Sequence, residues 1–209
     1  MGKLYLVRHG RATGPDDRRL PGADVALLEQ GWTQAQALAE RLWPLRPAAV
    51  YSSGATRARQ TGAVVAERCG VRLTVLPALR EIDFGAWGGR TFAEIVAEQP
   101  AAAGYFAHPT AQAPPGGEHV DAVARRVLDT LGAVAEAHRE SAVVVGHAGS
   151  LRLALARELG MPLAAYWRLR LDYASLSTLE WTEDGVIVEG LNDVNHLPTC
   201  GPLTRDDPA

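Results

Sequence analysis

The sequence predicts an α/β layered domain built on a mainly parallel sheet, and three observations predict it. Short apolar, β-branched runs alternate with segments of helical periodicity along most of the chain. The runs at 3–7 and 141–146 are apolar without alternation, as strands buried on both faces are. A length of 209 residues with 47% hydrophobic content suffices for a sizeable core.

The elements follow in order. "KLYLV" (3–7) reads as the first strand, and the Gly-, Pro-, Asp- and Arg-rich "GRATGPDDRRLPGADVAL" after it reads as a loop. "TQAQALAERL" (33–42) sets Ala35, Leu38, Ala39 and Leu42 at helical spacing, and Pro44 with Pro47 closes that helix. "AAVYSS" (48–53) is a second strand. Ser53 or Thr56 is the expected cap of the helix in "ATRARQTGAVVAERCG", which Gly70 ends. "RLTVL" (72–76) is a third strand, stopped by Pro77.

Residues 78–118 break the rhythm with a glycine-rich loop, a short helix in "FAEIVAEQ" and an irregular Pro, Ala and Gly stretch. So long an excursion reads as a small helical cap, since loops of this length in compact domains are usually functional. The core resumes with a long helix at 119–140, striped by Val120, Val123, Val127, Leu131 and Val134. "SAVVVG" (141–146) is the fourth strand and "GSLRLALARELG" (149–160) the next helix. "SLSTLEW" and "VIVEGLN" flank the turn "TEDG" as a hairpin near a sheet edge. The expected organisation is one domain over 1–209 with a cap-like insertion at about 83–118.

Composition excludes several function classes. A net charge of −3 and a pI near 6.1 give no whole-molecule attraction for nucleic acid or an anionic membrane, so any anion site must be local. Cys69 and Cys200 lie far apart and form no CxxC, so neither a disulfide framework nor a thiolate zinc site is indicated. No signal peptide opens the sequence, and no apolar run approaches the roughly 18 residues of a membrane span. A soluble protein of the reducing cytoplasm is expected.

In parallel α/β sheets ligands gather outside the carboxyl ends of the strands. The first strand ends in Arg8 and His9, the second leads to Arg57, the third to Glu81, and the fourth to Gly146 and His147. These types make an anion site with acid–base capacity. Arginine presents a planar fork that matches two phosphoryl oxygens at once. A neutral imidazole is a nucleophile toward phosphorus at physiological pH, and either histidine suits that role. A leaving alkoxide needs a proton, and Glu81 is the donor at hand. A metal site on His9 and His147 is disfavoured, because two arginines beside them repel a divalent cation and no HExxH spacing supplies further ligands.

Five ordered blocks, "LVRHG", "YSSGATRARQTG", "LREIDFGAWGGRTFAEI", "PPGGEHVDAVARRV" and "VVVGHAGSLR", resemble the histidine phosphatase superfamily, in its branch of phosphoglycerate mutase-like phosphatases. The match spans 3–160, and "LDYASLSTLEW" with "LNDVNHL" extends it almost to the end. The resemblance implies a three-layer α/β/α sandwich with a mainly parallel mixed sheet and a small cap inserted before the long helix. It implies His9 as the nucleophile that becomes a phosphohistidine, and Arg8, Arg57 and His147 as holders of the phosphoryl oxygens. Glu81 is implied as the acid that protonates the leaving oxygen and then takes a proton from water. No metal or organic cofactor is implied.

Departures from the mutase pattern are local. The Ser or Thr and the Asn that mutases of this branch carry past RHG are replaced by Ala12 and Pro15, with Thr13 the substitute one position along. Arg11 replaces the usual acidic residue, "SSD" becomes "SSG" with Gly54, and "HGNS" becomes "HAGS". Ala148 and Gly149 start a helix there and offer backbone N–H groups to phosphate. Lost mutase contacts and a short C-terminal tail favour hydrolysis over phosphoryl exchange.

The expectation is therefore a cofactor-independent phosphomonoesterase acting through a phosphohistidine on a small phosphorylated metabolite. Its rivals are phosphoglycerate mutase-type transfer and a non-catalytic phospho-ligand-binding module. Selectivity is assigned to 83–118 and to the loop at 10–28, with Trp87 lining the pocket. His108, His119, His138 and His196 read as surface or structural residues, and Trp43, Trp167 and Trp181 as core or cap. The edge hairpin offers a surface for a homodimer.

Overall fold

The computed structural model describes residues 2–13 and 19–197. Its sheet has six strands: β1 (Lys3–Arg8), β2 (Ala49–Ser52), β3 (Leu73–Val75), β4 (Ser141–Gly146), β5 (Leu176–Thr182) and β6 (Gly185–Asp193). They lie in the order β3-β2-β4-β1-β5-β6. The first four run parallel, and the hairpin β5–β6 adds antiparallel to β1. The sheet is mixed and mainly parallel.

Side-chain alternation along the central strands divides the interior into two layers. Leu4, Leu6, Ala142 and Val144 pack with Val123, Val127, Leu131 and Leu151 of α5 (Val120–Ala137) and α6 (Ala148–Glu158). Tyr5, Val7, Val143 and Val145 face the other way, against Leu38 and Leu42 of α1 (Glu29–Leu42) and Ala58 and Val65 of α2 (Thr56–Cys69). Helices on both faces of the sheet make the three-layer sandwich that the resemblance implied, and the layered α/β domain that the alternation implied. No helix of the described residues is long and apolar enough to cross a membrane.

Local differences from the sequence reading have physical causes. Helix α1 begins at Glu29, four residues before the expected start, and its first turn contains Gly31. That glycine obscures the helix in the sequence because glycine is a poor helix former. Its place is explained by the backbone beside it: a Cβ on Gly31 would lie 2.1 Å from the Arg11 carbonyl oxygen, and one on Gly10 would lie 2.6 Å from that of Gly31. Two bare backbones thus meet where the chain leaves β1.

The start of α2 is capped by neither Ser53 nor Thr56. Ala55 is the N-cap, and Asp24 of the preceding loop accepts hydrogen bonds from the Thr56 N–H at 2.8 Å and the Thr56 hydroxyl at 2.6 Å. Gly70 does end the helix, at φ 68°. Residues 85–118 hold α3 (Phe92–Glu98), with a Thr91–Glu94 capping box, and α4 (Ala102–Ala107), which the Pro- and Gly-rich composition hid. Trp87 does not line a pocket: it is 3% exposed and packs against Tyr105 and Phe106 under these helices. Trp43 and Trp167 are exposed rather than core, with Arg68 stacked over Trp43, whereas Trp181 packs on the core.

Candidate active site

The ends of β1, β4 and β2 are stitched together at their carboxyl edge. The His9 N–H donates to the Gly146 carbonyl at 3.1 Å, and the Ser53 N–H donates to that of Val145 at 3.1 Å. His9, His147 and Ser53 therefore emerge side by side, all buried. The two imidazole rings meet edge to face with centroids 5.1 Å apart.

Hydrogen bonds fix both tautomers. His9 Nδ1 lies 2.7 Å from the Gly10 carbonyl oxygen, which can only accept, so Nδ1 carries the proton and Nε2 keeps a free pair. That pair accepts from Arg57 Nε at 3.1 Å. A second nitrogen of the same guanidinium, Nη2, donates to His147 Nδ1 at 3.2 Å, which leaves the His147 proton on Nε2, facing the Ser53 hydroxyl oxygen at 2.7 Å. Burial lowers the pKa of both rings well below the ordinary histidine value. The neighbouring charges act in the same direction: His147, Arg57 and Arg8 on His9, and Arg57, Arg8 and Arg126 on His147. Both imidazoles are neutral at pH 7.

Arg8 is held from below by the segment that leads into β5. Its Nη1 donates to the Leu171 carbonyl at 2.7 Å, and its guanidinium carbon lies 3.7 Å from the centre of the Tyr173 ring. The same segment accepts from the Arg8 backbone N–H at Ser175 and donates from Ala174 to the His9 carbonyl. Ala174 takes φ 55° to do so, and His196 Nε2 lies 3.0 Å from its carbonyl oxygen. Arg8 is 8% exposed, and its Nε is buried with no hydrogen-bond partner among the described residues.

Glu81 reaches the same region from the far side. Its Oε1 accepts from the N–H groups of Ser150 at 2.7 Å and Ile82 at 2.9 Å, and Oε2 accepts from Gly149 at 3.0 Å. The first turn of α6, just past His147, thus binds the carboxylate with its unpaired N–H groups. Arg126 of α5 holds the loop that carries Glu81. Its guanidinium donates to the carbonyls of Ala78, Arg80 and Glu81 and makes a bidentate pair with Glu118. Burial raises the Glu118 carboxyl, but Arg126, the Asp83 N–H and Arg80 outweigh it and leave its pKa below the usual range.

A cleft of about 580 Å³ opens beside this cluster, with Arg57 and Glu81 on its wall. Arg8 and Arg57 supply fixed cationic forks, His9 a neutral imidazole nitrogen, and Glu81 a carboxyl group. Among the described residues no group of three or more His, Cys, Asp or Glu side chains is arranged to hold a metal ion.

The family model of the histidine phosphatase superfamily (branch 1) matches residues 4–194. The chain belongs to this superfamily. The probable phosphoglycerate mutase GpmB of Erwinia tasmaniensis is 32% identical to it, over 94% of this chain and 95% of the relative. Among solved structures, YhfR of Bacillus stearothermophilus superposes with a TM-score of 0.87 at 31% identity, covering 95% of this chain and 100% of the other. A mycobacterial glucosyl-3-phosphoglycerate phosphatase in complex with VO3 gives 0.79 at 30% identity, covering 91% and 98%. These histidine phosphatase relatives carry both mutase and phosphatase names.

Within this histidine phosphatase chain, the five residues singled out from the strand ends fall into one region. Arg57 touches both histidines, and His9 and Arg8 are consecutive. Burial of Arg57 lowers its pKa, while Glu81 and Asp24, the next contributors, act in the opposite direction. Thr13 lies at its edge, with Oγ1 3.2 Å from the Tyr173 hydroxyl. Ala148 is the buried first residue of α6, but the neighbouring Gly149 N–H, expected to face phosphate, donates to Glu81 instead. Pro15 and the other residues of 14–18 lie outside the described residues, as does Cys200.

Three contributors escaped the sequence reading. In the sequence Ser53 reads as a helix cap, whereas it directly follows β2 and meets His147 Nε2. Tyr173 precedes β5, whose antiparallel pairing starts beside the carboxyl end of β1, so its topological position was a usable signal. Arg126 sits on a helix where charge is usually solvated, and only the loop carbonyls above it reveal its role.

Proposed function

We propose that the protein is a metal-independent phosphomonoester hydrolase that acts through a covalent phosphohistidine on His9. One observation carries this reading: His9 is buried and neutral, its Nδ1–H is tied to Gly10, and its Nε2 carries no proton and accepts from Arg57. A binding pocket for an anion has no need to keep an imidazole unprotonated among arginines.

In the first half, the Nε2 pair attacks phosphorus and the P–O ester bond breaks. Its electron pair leaves with the alcohol oxygen, and protonated Glu81 supplies the proton. In the second half, water attacks the phosphohistidine, its proton passes to the Glu81 carboxylate, and the N–P pair returns to Nε2. Arg57, Arg8 with its unpartnered Nε, and His147 hold the phosphoryl oxygens in both halves. Splitting the displacement into two steps at a preorganised cationic site needs no metal. Hydrolysis is favoured over transfer to a second metabolite because the polar residues that mutases carry after RHG are absent here, with buried Ala12 in one of their places.

Phosphate release from an aryl phosphate tests the reading, with wild type and His9→Ala compared in EDTA. Turnover that survives EDTA and is abolished in the variant supports it. Turnover that EDTA abolishes, or that His9→Ala retains, contradicts it.

A further inference from the structure

The Ser53 hydroxyl holds a proton that finds no partner in the free site. Ser53 is fully buried just after β2, and its Oγ accepts from His147 Nε2–H at 2.7 Å and from the Ala55 N–H at 3.4 Å. Among the described residues no acceptor takes the hydroxyl's own proton. A buried donor left in this way costs stability and calls for an explanation. A hydroxyl can serve an imidazole nitrogen in either of two ways: it accepts from an N–H or donates to a lone pair.

Arg57 decides which of the two the free site uses. Guanidinium nitrogens only donate, so His147 Nδ1, 3.2 Å from Arg57 Nη2, accepts, and the ring proton rests on Nε2. In this tautomer His147 turns a lone pair, not an N–H, toward the guanidinium that also touches His9. On the phosphatase reading that is where the phosphoryl group lies, and ionised phosphoryl oxygens are acceptors too. The ring that is to hold one of them has its proton on the far nitrogen.

An anion bound between Arg57 and His147 reverses the demand. The guanidinium N–H turns to the anion, Nδ1 is released, and a proton on Nδ1 gains a charge-assisted bond to oxygen. Burial of His147 and the arginines around it oppose a second ring proton. Nε2 therefore gives up a proton as Nδ1 gains one, both exchanged with water, and the ring stays neutral. The lone pair now on Nε2 faces Ser53 Oγ at 2.7 Å, where the unpartnered hydroxyl proton is in place to meet it.

We infer that Ser53 is a positioning residue that lets His147 exchange tautomers: it accepts from Nε2–H in the free site and donates to Nε2 when a phosphoryl group is bound. His147 thereby becomes a donor, through Nδ1–H, without leaving a buried ring nitrogen unpaired. The inference rests on the phosphatase reading above and adds the residue through which His147 acts.

The test is nitrogen NMR of the full chain with isotopically labelled histidine, without and with saturating inorganic phosphate, since protonated and unprotonated ring nitrogens resonate far apart. The His147 signals are those missing from His147→Gln. The proton is expected on Nε2 in the free protein and on Nδ1 with phosphate bound. Bound-state Nε2 should resonate upfield of an unbonded imidazole nitrogen because it accepts from Ser53. Ser53→Ala should shift that signal downfield and Ser53→Thr should not. Without the hydroxyl the ring is left to be ordered by the ligand, so aryl phosphate turnover should fall about tenfold in Ser53→Ala, about the contribution of one hydrogen bond, and recover in Ser53→Thr. The wild-type spectra decide the exchange even where a change at buried Ser53 disturbs folding. A His147 that keeps its proton on Nε2 with phosphate bound, or carries protons on both nitrogens, overturns this inference, as does an unshifted Nε2 signal in Ser53→Ala. His9-dependent turnover then leaves the phosphatase reading standing. No turnover, with neither site histidine responding to phosphate, overturns both.

Discussion

Gly149→Ala isolates the placement of Glu81 from the rest of the fold. A Cβ on Gly149 would lie 2.7 Å from Glu81 Oε1 and 2.7 Å from Ile82 Cδ1. Both atoms are ends of flexible side chains, so the inexpensive relief is to push the carboxylate off the start of α6. Charge-assisted hydrogen bonds contribute about 1.5–3 kcal/mol each net of their exchange with water, and Glu81 would lose those from Gly149 and Ser150. Alanine returns up to about 1 kcal/mol of helix propensity. The net stability loss is therefore about 2 kcal/mol or more, and a displaced general acid costs about 10²-fold or more.

The assay compares kcat/KM for an alkyl phosphate and for nitrophenyl phosphate, because that ratio reports the step in which the ester bond breaks. A strongly basic alkoxide needs the proton and a nitrophenolate hardly does. The account predicts about a 10²-fold loss on the alkyl ester and a far smaller one on the aryl ester, with a thermal midpoint lowered by several degrees. Equal losses on both esters, or none on either, would refute the assignment of Glu81 as the acid.

Other variants probe the neighbouring supports. Arg126→Met breaks a largely buried pair and strips three carbonyls of a donor; a loss of about 3 kcal/mol is expected in urea unfolding, and Arg126→Met with Glu118→Met should lose less than the single change. Tyr173→Leu removes the ring beneath Arg8, a contact of about 1–2 kcal/mol, and should weaken inhibition by inorganic phosphate about tenfold, whereas Tyr173→Phe stays near wild type. The lowered pKa values of His9 and His147 mean that the unfolded chain binds protons there before the folded one does. Stability contributed by the two rings is complete above pH 6.5 and is lost as pH falls below it, by up to about 1.4 kcal/mol per pH unit for each ring. Urea midpoints at pH 7.5 and 5.5 measure this, and an unchanged midpoint would contradict neutral burial of the rings.

What the sequence made legible follows from how each feature is encoded. Uninterrupted apolar runs revealed β1 and β4, and the strand-end rule then pointed to Arg8, His9 and His147 without any knowledge of contacts. Features encoded by meetings between distant segments were hidden. Gly31 weakens the helical signal of α1 because its role is the close approach of Arg11. Helix α4 is disguised by alanine, glycine and proline, and is held by the aromatic cluster of Trp87, Tyr105 and Phe106. Capping of α2 by Asp24 and docking of Glu81 on α6 join residues 32 and 68 positions apart, which no local pattern records.

The central claim is a covalent bond between phosphorus and His9 Nε2. Its most direct measurement is the intact mass of the protein, quenched in base within the first turnover of an aryl phosphate, with the modified residue located by fragmentation. The account predicts a transient gain of one acid-labile phosphoryl group on His9 that is absent from His9→Ala. Phosphate release without any such species, or a phosphoryl group on His147, would contradict it.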